Sequence, residues 1–175
     1  MNDLRVRDAR PEDRGAILEV TLAAYQEYAA RMQSFWEAYR RNIVASVTDV
    51  GSAEQLVAAR DGAIVGTVLL YPPRRMALPG GGSLDMPWPE VRLLAVAPAA
   101  RGQAVGAALM QECVGRVRRA GGRVLSLHTT DVMQTARRMY ERMGFVRTPE
   151  IDFRPTPDTT VLGFRLDLGE PEKAR

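Results

Sequence analysis

The chain has 175 residues, of which 46% are apolar, a formal net charge of +3, and a single cysteine. That is enough apolar material for the core of one domain, yet no run approaches the roughly 18 apolar residues of a membrane-spanning helix. Cys113 and His128 are each the sole residue of their type, which excludes a disulfide framework and argues against a dedicated His/Cys metal site.

The opening "MNDLRVRDARPED" is charged throughout and lacks the apolar segment of a secretory signal, so a cytoplasmic address is expected. Residues 4–8 alternate like a short strand. "ARPEDRGAILEVTLAAYQEYAARM" then reads as a turn and a helix, with Pro11 at its start and Glu12 and Asp13 in the first turn. Residues 34–48 predict a second helix, with Ser34 and Glu37 at capping-box spacing. "EQLVAAR" and "AIVGTVLLY" flank Asp61-Gly62, the pair expected at a two-residue hairpin turn. Residues 72–89 hold five prolines and the run Gly80–Gly82, and are expected to form a surface loop.

Residues 90–97, "EVRLLAVA", form an almost continuous apolar run, as in a strand buried on both faces. Residues 101–119 predict a helix with Leu109, Cys113 and Val117 on one face, stopped by Gly121-Gly122. Cys113 is thereby a core residue rather than a nucleophile. A strand over 123–128, ending at His128, and a helix over 132–143 capped by Gly144 follow. "FVRTPEIDF" and "TTVLGFRLDL" close the chain as two strands. The pattern predicts a single domain over residues 1–175, with its core at about 4–168 and a tail at 169–175. Its class is α/β, a mixed and mostly antiparallel sheet of about seven strands with helices on both faces.

Of the 24 basic residues, 23 are arginine and only Lys173 is lysine. Arginine suits an anionic ligand, although codon usage explains the bias as well. The arginines are scattered, so no nucleic-acid footprint is expected.

The stretch "RLLAVAPAARGQAVGAALM" carries the sharpest chemistry. A strand ending at Val96 feeds a helix whose first N–H groups have no internal partner and sit at the positive end of its dipole. Gly102 and Gly106 leave the backbone open, and Arg101 adds a full charge, so the turn is suited to a pyrophosphate. It is neither the dinucleotide fingerprint nor a P-loop, because both G-x-G-x-x-G and Gly-Lys-Ser/Thr are absent. Ala104 stands where glycine would be usual. An ordinary helical φ is expected there, since alanine supplies the same N–H as glycine.

This stretch resembles the central motif of the GCN5-related N-acetyltransferase (GNAT) superfamily, Arg/Gln-x-x-Gly-x-Gly/Ala after a strand ending in V-x-P. "ARRMYERMGF", residues 136–145, resembles the family's second signature. The resemblance covers residues 4–168 and implies acetyl-CoA as cosubstrate. It places Leu94, Ala95 and Val96 along the pantetheine arm, with the Leu94 N–H toward the acetyl oxygen. Arg101, Gly102, Gln103, Ala104, Val105, Gly106 and Ala107 would surround the pyrophosphate; a register starting at Gln103 also satisfies the pattern.

Transfer from a thioester to a primary amine needs a proton acceptor, because such an amine is mostly protonated at neutral pH, and a proton donor for the leaving thiolate. The resemblance gives the donor role to Tyr140 and the acceptor role to Glu90. It implies direct transfer to an amine of a small molecule or peptide, with no metal, and leaves homodimerisation open. The rival reading is a non-catalytic acyl-CoA-binding or regulatory domain. Ala104 supports it, as does Met133, which stands where many members carry a cofactor-contacting Asn. Arg137 and Arg138 are either phosphate contacts or solvated. Tyr25, Tyr28, Phe35, Trp36 and Tyr39 are core residues or border the acceptor.

Overall fold

The computed structural model describes residues 4–33, 35–78 and 80–170. In chain order the elements are β1 (Arg5–Asp8), α1 (Arg14–Tyr25), α2 (Trp36–Thr48), β2 (Glu54–Arg60), β3 (Ala63–Tyr71), β4 (Arg74–Ala77), β5 (Ser83–Met86), β6 (Glu90–Val96), α3 (Val105–Arg119), β7 (Val124–Thr129), α4 (Gln134–Arg142), β8 (Val146–Arg147), β9 (Phe153–Thr156) and β10 (Thr159–Asp167). They fall into two compact units, each made of two stretches of chain. One comprises residues up to Leu70 with Arg92–Cys113; the other comprises Tyr71–Val91 with the residues from Val114 onward.

In the first unit the strands run in the order β1-β2-β3-β6. The β2–β3 hairpin turns where the sequence says it should. Asp61 and Gly62 have φ of 51° and 83°, the two left-handed residues that match the twist of the flanking strands. Helix α3 starts here and buries Val105, Leu109, Met110 and Cys113, a stripe at helical spacing. Gly66 on β3 makes room for it. A Cβ there would lie 2.7 Å from Val105 Cγ1 and 3.0 Å from Leu109 Cδ1. The expected long first helix is divided. A 3-10 turn at Pro11–Asp13 precedes α1, and Gln26–Arg31 continue it as 3-10 turns. Arg7 clamps the entry, donating to both oxygens of Asp13 at 2.6 and 3.0 Å and holding that carboxyl below its usual range.

The second unit carries the order β6-β7-β10-β8, with β9 beside β10 and β4 paired with β5. The first two residues of β6 belong to this unit and pair in parallel with β7 as Glu90↔Ser126 and Val91↔Leu127. The other registered pairings are antiparallel. The mixed, mostly antiparallel α/β class therefore stands.

Three expectations change. Residues 72–89 are not simply a loop, because Arg74–Ala77 and Ser83–Met86 pair as a hairpin, with Gly80–Gly82 at positive φ in its turn. "FVRTPEIDF" is not one strand but β8, a 3-10 turn at Pro149–Ile151, and the start of β9. Residues 101–104 form a turn, so α3 begins only at Val105. The Ser34 cap and most of the 169–175 tail lie outside the described residues.

Candidate active site

The sequence-predicted residues divide between the two units. Leu94, Ala95, Val96 and Arg101–Ala107 belong to the first, and Glu90 and Tyr140 to the second.

In the first unit β6 is irregular where the resemblance places the cofactor arm. Leu93 has φ of 50°, a rare conformation for a bulky side chain, and it marks a local kink in the strand. Leu93 and Ala95 are buried while Leu94 and Val96 are half-buried, so the strand is not covered on both faces as expected. The Tyr25 hydroxyl, from α1, donates to the Leu94 carbonyl at 3.2 Å and pins the kinked segment.

After β6 the chain passes through a 3-10 turn, Pro98–Ala100, into the turn at 101–104. Gly102 has φ of 73°, and nothing lies within 4 Å of where its Cβ would be. The first helical bond of α3 is Ala108 N–H to Ala104 O, 3.0 Å. The N–H groups of Val105, Gly106 and Ala107 therefore precede the ladder, and no acidic residue occupies the first turn to neutralise them. This geometry fits a pyrophosphate.

Two side chains predicted to help are otherwise engaged. Arg101 donates to Glu27 Oε2 at 2.8 Å and to Ala24 O at 3.1 Å. Gln103 accepts from Arg60 and donates to Ala99 O at 3.0 Å. Arg60, at the end of β2, is a neighbour of the turn that no motif indicated.

Ala104 overturns its expectation: its φ is 61°, left-handed rather than helical. The reason is topological, because residue 104 precedes the first residue of α3 and closes a turn. A Cβ in this region costs about 1–2 kcal/mol, offset in part by the greater backbone freedom glycine loses on folding, about 0.5–1 kcal/mol. Ala104→Gly is accordingly expected to stabilise the chain by about 0.5–1 kcal/mol, read as a higher urea midpoint at unchanged slope. A midpoint that falls would show that the turn gains from alanine.

Beside Tyr25, the aromatic side chains of α1 and α2 and the turn between them form one cluster. Tyr39 stacks edge-on with Tyr25 and Phe35 at 6.1 and 6.0 Å between centroids, and Trp36 lies at 6.2 Å. Burial pushes the Tyr39 hydroxyl up to about 12, against the pull of the Arg92 charge.

In the second unit Glu90 is 1% exposed rather than solvated. Strand register explains what it meets. Glu90 lies opposite Ser126, and side chains two apart share a face, which brings His128 within reach. Glu90 Oε1 is 2.7 Å from His128 Nδ1, and Oε2 accepts from Arg74 of β4. Arg74 in turn lies over the Tyr71 ring at 4.1 Å. His128 Nε2 lies 2.7 Å from Ile151 O. The His128 side chain is thus buried, and β7 runs one residue beyond it to Thr129. Arg74 was hidden in the stretch read as a loop.

Tyr140 is 7% exposed and sits in the last turn of α4. Gly144 takes φ of 95°; its N–H bonds Glu141 O at 3.0 Å, and the Phe145 N–H bonds Tyr140 O at 3.0 Å. This pair of bonds is the Schellman closure, and the Tyr140 and Phe145 rings meet edge-on at 5.9 Å across it. The tyrosine, glycine and phenylalanine spacing of the second motif is therefore a helix end that fixes the tyrosine ring. Met133, at the N-cap of α4, is buried, and Arg137 pairs with Glu141 at 2.8 Å. Among the described residues no group of three or more His, Cys, Asp or Glu is arranged to hold a metal, and no helix is long and apolar enough to cross a membrane.

Comparison with known proteins agrees with this fold. The profile of the acetyltransferase (GNAT) family matches residues 17–145. A search of curated protein sequences returned no match. Among solved structures, a histone acetyltransferase HPA2 and related acetyltransferase from Corynebacterium glutamicum superposes with a TM-score of 0.70 at 21% identity, covering 98% of this chain and 99% of that one. A GNAT family acetyltransferase from Brucella melitensis, in complex with acetyl-CoA, gives 0.60 at 24% identity over 98% and 95% of the two chains. The yncA protein of Salmonella typhimurium, with its cofactor acetyl-CoA, gives 0.63 at 19% identity over 99% and 100%. With the matched profile spanning well over half its length, the chain belongs to the acetyltransferase (GNAT) family.

Proposed function

We propose that this chain, acting as one domain, transfers the acetyl group of acetyl-CoA to a primary amine of a small molecule or peptide. The observation that carries the reading is the start of α3, where three backbone N–H groups precede the helical ladder beside an open Gly102. Bound there, acetyl-CoA supplies an activated acyl group. Val105, Gly106 and Ala107 hold the pyrophosphate through their N–H groups, with Arg101, Gly102, Gln103 and Ala104 forming the turn around it. Leu94, Ala95 and Val96 align the pantetheine arm, and the Leu94 N–H meets the acetyl oxygen. Glu90 takes the amine proton through water, because both its oxygens are already engaged by Arg74 and His128. Tyr140 returns a proton to the departing thiolate. Direct attack needs no nucleophilic triad, in keeping with a core position for Cys113.

The non-catalytic alternative rests on one observation: Arg74 and His128 occupy both oxygens of Glu90. Thiol release from acetyl-CoA, followed over a panel of small-molecule amines and peptides, separates the two readings. Acceptor-dependent release is expected. Saturable acetyl-CoA binding with no release for any amine would mark a binding domain.

A further inference from the structure

The strongest unassigned feature is the buried Arg74–Glu90–His128 cluster. His128 is 7% and Glu90 2% exposed at the side chain. A carbonyl oxygen only accepts, so the ring nitrogen facing Ile151 O at 2.7 Å must be an N–H donor. The other nitrogen faces a carboxyl oxygen at 2.7 Å, and that contact is a hydrogen bond only if one proton lies in it. That proton sits either on Nδ1, giving an imidazolium and a carboxylate, or on Oε1, giving two neutral groups. Arg74 decides between them. Its guanidinium keeps its charge and donates to Oε2, which favours the charged carboxylate. A carboxylate this buried would otherwise be driven neutral, and a neutral acid accepts no proton.

We propose that His128 is a positioning residue for Glu90: by keeping a proton on Nδ1 it holds the buried carboxylate charged and fixed in direction. The proposal rests on the reading of Glu90 as the proton acceptor. Arg74 approaches from β4, and Asp152, just after the 3-10 turn at Pro149–Ile151, feels the His128 charge. Asp152 is itself neutralised by Arg147 of β8, whose Nη2 lies 2.8 Å from Oδ2. Arg74 and His128 are the cations that touch the two oxygens of Glu90.

His128 is the sole histidine of the sequence, so its ring nitrogens give one unambiguous set of signals in a long-range proton–nitrogen spectrum of the labelled, untagged chain. At pH 7 both nitrogens are expected to carry protons in the wild type, and only Nε2 in Glu90→Gln. An unprotonated Nδ1 in the wild type, or a doubly protonated ring in Glu90→Gln, overturns the proposal.

The kinetic arm uses His128→Phe and His128→Gln, with folding checked by circular dichroism. In His128→Phe the acid limb of the kcat/KM profile is expected to move up by about one pH unit or more, while the high-pH plateau is largely kept. His128→Gln, which restores a neutral donor, is expected to move it less. An equal loss at every pH would mean a merely structural histidine and sink the idea. If the wild type releases no thiol, the acetyltransferase reading fails, and the ring spectrum still decides this one.

Discussion

Tyr140→Phe is expected to lower kcat by about 100-fold or more while leaving acetyl-CoA affinity nearly unchanged. The substitution removes one oxygen and nothing else. Phenylalanine keeps the edge-on contact with Phe145 and the Schellman closure through Gly144, so α4 still ends in the same way. In the proposed role the hydroxyl acts as the thiolate leaves, a charge absent from bound acetyl-CoA, so its loss falls on the transition state. A hundredfold loss is about 2.7 kcal/mol of barrier. Stopped-flow or steady-state thiol release together with equilibrium acetyl-CoA binding checks both halves. Turnover equal to wild type would remove Tyr140 from the chemistry. A parallel fall in binding would make it a cofactor contact instead.

Gly163→Ala is expected to destabilise the chain by about 2–3 kcal/mol, the upper part of the range for overpacking. A methyl on Gly163 would lie 2.3 Å from Ile151 Cγ1 and 2.8 Å from the Thr148 carbonyl oxygen. The second contact is backbone, which cannot rotate away. Gly163 is also a hub of hydrogen bonds. Its N–H donates to Asp152 Oδ1 at 2.7 Å, and its carbonyl accepts from the Thr148 N–H at 2.9 Å and from Arg147 at 2.7 Å. Opposite it in the ladder lies His128, whose Nε2 contacts the Ile151 carbonyl. Moving Ile151 therefore disturbs the ring that faces Glu90. Urea unfolding measures the loss, and the His128 ring signals should shift with it. A change below about 0.5 kcal/mol would show that the Pro149–Ile151 turn yields freely.

The helix end at Tyr140–Phe145 and the Asp61-Gly62 hairpin were legible in the sequence because their interactions are local. A left-handed glycine, a capping pair of N–H groups and an apolar contact all lie within a few residues. The apolar stripe of α3 was legible for the same reason, since its period is that of the helix alone. The β4–β5 hairpin was not, because Pro and Gly at 72–89 outweigh four-residue strands in any local reading.

Ala104 shows the limit most clearly. Alanine's own preference points to a helical φ, but the chain must close a turn between Gly102 and the first residue of α3, and that closure imposes φ of 61°. Glu90 shows the same limit, because no motif named a partner for it. Its partners, Arg74 and His128, lie 16 and 38 positions away; β6–β7 register brings His128 to one oxygen, and the separate β4–β5 hairpin carries Arg74 to the other. The sequence by itself determined the family and the longer helices and strands, because these depend on motifs and short-range periodicity. Only the tertiary structure decided which charges meet in burial, because β6 and β7 pair in parallel across the α3 crossover and β4 lies in a separate hairpin, so no single turn sets their contacts.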